Sequence, residues 1–180
     1  MKTTLYAQPY DTAAMGFYFE SAEEYAEKVQ SARNDHGQTV EEFEIQFIEG
    51  DAIDAALAEA VGLHQGDVAA FFEAIDGWDA HDKRQVIIAA GACGYAFTWS
   101  EDPTSLDVDI YEMDTLRELA EYFVDEGLFG EIPERLQFYL DFDAIARDLS
   151  MEFAEAEIAG TRVVPHHPDR YTTRVPAISA

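Results

Sequence analysis

Four carboxylates, Asp114, Glu118, Glu121 and Asp125, recur at offsets of 4, 7 and 11. In a helix that spacing places all four on one stripe, with Leu116, Leu119 and Phe123 on the opposite side. Neighbours along such a stripe stand roughly 5–6 Å apart, comparable with the spacing of phosphates along DNA. Like charges this close cost a few tenths of a kcal/mol per pair, so a helix shaped by stability alone intersperses lysine. Two readings are open: a solvated face of a strongly acidic protein, or a row of carboxylates that copies a phosphate array and competes for a cationic DNA groove. Asp107, Asp109 and Glu112 just before the stripe, and Glu126 just after it, belong to the same acidic run.

Other residues suggest other chemistry, each with a plainer explanation. Asp107, Asp109, Glu112 and Asp114 superficially resemble a calcium loop, but the glycine of its sharp turn is missing and a strand-like alternation runs through them. His166 and His167 form a pair with no Cys or His cluster to complete a metal site. Asp141 and Asp143 invite a general acid–base reading, although such spacing near a helix start more often means a cap and a solvent-facing charge. No Ser-His-Asp signature, phosphate-binding glycine loop or nucleotide motif is present. The expectation is a protein without catalysis, metal or cofactor. A carboxylate-based metal-dependent enzyme is the alternative from another class, and an acidic module for some other basic DNA-binding protein is a third.

Composition narrows the partners. The 180 residues carry 37 Asp and Glu against 11 Lys and Arg, a formal charge of −26. Residues 101–157 alone hold 18 carboxylates and three arginines, a local balance of −15. Nucleic acid is a poor partner, because binding it needs cations that displace counterions from phosphates. An anionic membrane surface is disfavoured for the same reason, and a basic protein groove is the natural counterpart. With 48% apolar residues, 12 Phe and 9 Tyr, the chain can bury a core and is no disordered acidic tail. Cys93 is the only cysteine, so no intramolecular disulfide forms. The first residues, MKTTLYAQPYDT, lack a signal-peptide core, and no run approaches a membrane span of roughly 18 apolar residues. A soluble, cytoplasmic protein is expected.

The elements that must position these residues fall into three groups, predicting an α+β chain. Residues 1–50 read as strand, strand, helix, strand. Leu5 to Gln8 and Phe17 to Glu20 are short strands, and Ser21 with Glu24 is a capping box for a helix to Arg33. Glu42 to Glu49 alternates as a half-buried strand. Residues 51–103 read as helices from Asp51 to Gly62, Gly66 to Ile75 and Asp79 to Cys93, with an extended piece around Tyr95, Phe97 and Trp99. Residues 104–164 read as a strand from Leu106, a helix capped by Asp114 and running to Glu126, two short helices between Pro133 and Leu149, and a final strand from Thr161 to Val164. Residues 165–180 have no periodicity and read as a loosely ordered tail.

The two short helices carry an ordered pattern, Pro-Glu-x-Leu-Gln-x-Tyr-x-Asp-Phe-Asp-Ala-x-Ala-Arg-Asp-Leu. It resembles the antirestriction signature of the ArdA proteins, with Pro133, Glu134, Tyr139, Asp141, Phe142, Ala144, Arg147, Asp148 and Leu149 at the matching positions and Asp143 within the run. Leu5-Tyr6, Gly16-Phe17-Tyr18-Phe19 and Glu41-Glu42-Phe43-Glu44-Ile45 fit the outline of the family's opening strands. Gln46, Phe47 and Ile48 replace the His-Asp-Tyr that often follows. The resemblance implies an elongated string of three small domains, α+β, mainly helical and α+β, with an acidic surface and pairing into a homodimer through the third. It also implies the partner, the specificity and methyltransferase subunits of type I restriction–modification enzymes, and inhibition by occupying their DNA groove. By the residues alone, Arg147 is expected to hold its acidic corner together by hydrogen bonds. Tyr139, Phe142 and Leu149 are either core or an apolar patch between two copies, and the resemblance favours an interface for part of the motif.

Overall fold

Leu5, Ala7, Phe19, Phe43 and Ile45 alternate with more exposed neighbours along three short segments, and all five are buried. The computed structural model, which describes residues 2–166, forms these segments into β1 (Thr4–Pro9), β2 (Phe17–Phe19) and β3 (Phe43–Glu49). The sheet is antiparallel in the order β2-β1-β3, and register sets Ala7 between Phe17 and Ile45. At Gly16 a Cβ atom would stand 2.6 Å from the Ala7 carbonyl oxygen, so only glycine fits beside this hairpin. α1 (Ala22–Ser31) starts as expected, with the Ser21 hydroxyl accepting the Glu24 N–H at 3.1 Å. It ends two residues before Arg33, which instead bridges to Thr39.

Helices α2 (Ala52–Val61), α3 (Val68–Gly77) and α4 (Ala80–Val86) follow. Their Leu57, Phe71 and Val86 share one apolar cluster with Leu5, Phe19 and Phe43 of the sheet. That single core joins the segments expected as domains 1–50 and 51–103 within one compact unit ending at Leu106. Lys83 and Asp54 are both buried in it and paired at 2.7 Å, and the Lys83 ammonium also donates to the Ile75 carbonyl at 2.9 Å. The helix expected to reach Cys93 is α-helical only to Val86 and continues as a π-helical turn, Ile87–Ala92. Gly91 in that turn lies close to α2, where an added Cβ would meet the Ala60 Cβ at 3.2 Å. Tyr95, Phe97 and Trp99 do not form the expected extended piece. All three are half-buried while Ala96 and Thr98 are exposed, but no strand among the described residues pairs with them: Trp99 stacks on Trp78 with centroids 6.0 Å apart, and Phe97 meets both rings edge-on.

The second compact unit begins at Asp107. Its sheet is antiparallel in the order β4-β6-β5, from β4 (Ile110–Tyr111), β5 (Ala156–Ile158) and β6 (Thr161–Pro165). The strand expected from Leu106 is thus only two residues long, pairing Ile110 with Pro165 and Tyr111 with Val164. One further bond, from the His166 N–H to the Asp109 carbonyl at 2.9 Å, extends the pairing. β5 and β6 are joined by Ala159 and Gly160, both with positive φ (52° and 82°), as a two-residue hairpin turn requires. α5 (Leu116–Asp125) buries Leu119, Ala120, Phe123 and Val124. Leu119 and Phe123 form a core with Phe153 and Val164, with Tyr111, Met113, Leu116 and Leu149 packed around it. Pro165 and His166, expected in the loose tail, belong to this sheet, whereas His167 and the rest of that tail lie outside the described residues. Among the described residues the chain is a mixed α+β protein with seven α-helices and two small antiparallel sheets.

Candidate functional site

The acidic stripe is built on α5, but its first member is not the cap. Thr115 adopts the extended cap conformation, and its hydroxyl accepts the Glu118 N–H at 3.2 Å. Asp114 precedes the helix, and its N–H is held by the Glu118 carboxylate at 2.9 Å. This corrects the expectation that Asp114 caps the helix: the motif is a threonine cap with Glu118 reaching back. Asp125 and Glu126 are exposed at the far end of α5. Glu121 is partly neutralised by Arg117 one turn earlier, at 3.1 Å.

Asp107, Asp109 and Glu112 flank the short β4 and are exposed. Of the carboxylates from Asp107 to Glu157, all but Glu121 and Glu152 are exposed, so burial accounts for almost none of them. The first unit carries its own acidic recess of about 500 Å3, lined by Glu20, Glu23, Asp51, Asp54, Glu73 and Asp76 with Lys2 at its margin.

The signature residues split into three kinds of surroundings. Pro133 sits in the cap position before α6 (Glu134–Gln137), one residue earlier than a first-turn proline, and both it and Glu134 are exposed. Around this short helix Phe138 is 90% exposed and Tyr139 84%, and Leu128, Phe129 and Leu136 are also largely bare. Tyr139 is therefore no core residue. α7 (Phe142–Leu149) opens at Asp141, whose carboxylate accepts the Ala144 N–H at 3.0 Å. Phe142 and Leu149 are half-buried, and Leu149 packs on the apolar core of the second unit.

Arg147 does not hold this corner. It is exposed, and among the described residues its side chain has no ion pair or hydrogen bond. Asp148 is exposed beside it. The residue that ties α5 to α7 is Arg117, which sequence reasoning left as one of three scattered cations. Its guanidinium donates to Asp143 at 2.7 Å and to Glu121 at 3.1 Å, and lies 5.9 Å from the centroid of the Phe142 ring. The hydrogen bond to Asp143 and the charge of both carboxylates push its pKa above the ordinary arginine value. The helical offset from Arg117 to Glu121 was a readable signal, but the contact with Asp143, 26 residues away, was not.

His166 lies with its ring Nδ1 3.9 Å from Asp109, too long for a hydrogen bond, and against Phe153. Its sequence neighbour His167 lies outside the described residues. Among the described residues no three His, Cys, Asp or Glu side chains converge as a metal would require, and no helix is long and apolar enough to cross a membrane.

Comparison with known families adds the deciding observation: a model described as antirestriction protein (ArdA) matches residues 6–161 of the 180. The chain belongs to the ArdA family. A search of curated proteins finds no match. Membership makes this an antirestriction protein. The match runs through both compact units, from β1 to the first residue of β6, and so takes in the opening strands as well as the signature helices.

Proposed function

We propose that this ArdA protein blocks type I restriction–modification enzymes by occupying the DNA groove formed by their specificity and methyltransferase subunits. Eight carboxylates stand in for phosphates: the exposed Asp107, Asp109, Glu112, Asp114, Glu118, Asp125 and Glu126, and the half-buried Glu121. The observation that carries this reading is the exposure of nearly every carboxylate between Asp107 and Glu157, in a chain whose family acts against restriction. A folded domain gains nothing from such crowding, since net charge far from zero works against compactness. A cationic groove gains a great deal, because charge complementarity speeds encounter and selects the partner. The mechanism is competition, with no bond made or broken and no cofactor.

The working form in this proposal is an elongated, acidic homodimer. Leu136, Phe138 and Tyr139 inside the signature, with Leu128 and Phe129 just before it, offer a bare apolar segment. Exposed apolar patches of this kind mark interaction surfaces, and a second copy of the same segment is its natural cover. Joining two acidic chains end to end also lengthens the charged surface that faces the groove.

The direct test is displacement. A methyltransferase core of specificity and methyltransferase subunits is bound to a labelled duplex carrying its site, and the protein is titrated in without cofactor. Release of the duplex near one protein dimer per enzyme is the expected result. Retention of the duplex across several such enzymes would sink the proposal.

A further inference from the structure

We infer that Arg117 is a positioning residue for the acidic surface: a single cation inside the carboxylate row that locks α7 against α5 and so fixes the spacing of the charges both helices carry. The inference rests on the competitive reading above and deepens it. α7 buries none of its residues fully. At its C-terminal end Leu149 anchors it to the apolar core. At its N-terminal end the only polar tie to α5 among the described residues is the Arg117 fork, with Asp143 at 2.7 Å and Glu121 at 3.1 Å, over the Phe142 ring. Two carboxylates bonded to one guanidinium are necessarily near each other. Without the cation they repel, and the first turn of α7 is the part free to swing away.

An isolated exposed ion pair contributes little to stability. A fork that restrains two elements has a different effect, since it holds the charged groups in their bound arrangement before the partner arrives. Arg117 therefore opposes two simple expectations. It lowers the net negative charge, which weakens bulk attraction to a basic groove, yet it makes the remaining carboxylates a rigid array.

That opposition supplies the experiment, performed with the full chain. Arg117→Gln and Arg33→Gln each add one negative charge to the molecule. Arg33 is in the first unit, where among the described residues its side chain bonds only to the Gln30 and Ala32 carbonyls. In the displacement assay Arg33→Gln is expected to act at least as well as the parent protein, whereas Arg117→Gln needs about tenfold more protein despite its greater charge. The exchange Arg117→Asp with Asp143→Arg restores the pair at the parent's net charge and is expected to recover most of the loss. Amide hydrogen exchange gives a readout independent of inhibition, with faster exchange in α7 but unchanged exchange in α5 for Arg117→Gln. If Arg117→Gln displaces DNA as well as the parent does, the positioning role is overturned and competition survives. If the parent itself displaces nothing, the competitive reading falls, and unchanged α7 exchange would still dispose of the clamp.

Discussion

At the scale of single residues, the protein separates charges that stabilise the fold from charges left free to act. Thr115 and Asp114 are adjacent, and only one of them holds the helix. Thr115→Ala should therefore lower the stability of the second unit by about 1 kcal/mol, while Asp114→Asn should leave its unfolding midpoint nearly unmoved. Chemical denaturation of the two variants distinguishes them. In the first unit the buried pair of Lys83 and Asp54 poses the opposite problem. Lys83→Ala strands a carboxylate away from water and should cost about 3–5 kcal/mol. The double change Lys83→Met with Asp54→Leu removes both charges and should be far less damaging. Equal losses in the single and double variants would mean that packing, not the unpaired charge, sets the cost.

At the scale of elements, what could be read in the sequence was what depends on local order. The alternation of Phe43, Ile45 and Phe47 gave β3, and the Ser21–Glu24 pattern gave the start of α1. The Asp141 cap and the two short signature helices were also legible, as were the apolar positions Leu119 and Phe123 of α5. What escaped depends on partners distant in the chain. β4 is only as long as its pairing with Val164 and Pro165, and Trp99 meets Trp78 in a stack rather than forming a strand. Arg117 finds Asp143 across 26 residues, leaving Arg147 unpaired among the described residues. Of the eight acidic positions, seven are exposed and Glu121 is half-buried, a pattern that local order suggested. The exposed segment around α6 yields its own prediction. Changing Phe138 and Tyr139 together to Ser should leave the circular dichroism spectrum intact, because neither side chain is packed. In sedimentation it should shift the proposed dimer to monomer, and an unchanged mass would place the contact between copies elsewhere.

At the scale of the whole molecule, a charge of −26 acts on folding and on binding with opposite sign. Salt screens repulsion within the chain over a Debye length of about 8 Å at physiological ionic strength, so added salt should raise the thermal midpoint. The same screening weakens attraction to a basic groove, so inhibition should decline over the same titration. Parallel melting and displacement curves at rising salt check both, and inhibition that does not fall with salt would contradict an electrostatic mechanism. The division into two compact units has a spectroscopic consequence. Both tryptophans of the chain, Trp78 and Trp99, belong to the first unit and are stacked there, while the aromatic core of the second contains only Tyr and Phe. Indole fluorescence therefore sees one unit alone, whereas far-ultraviolet dichroism sees both, and a single unmodified sample melted under the two probes tells whether the halves unfold together or one after the other.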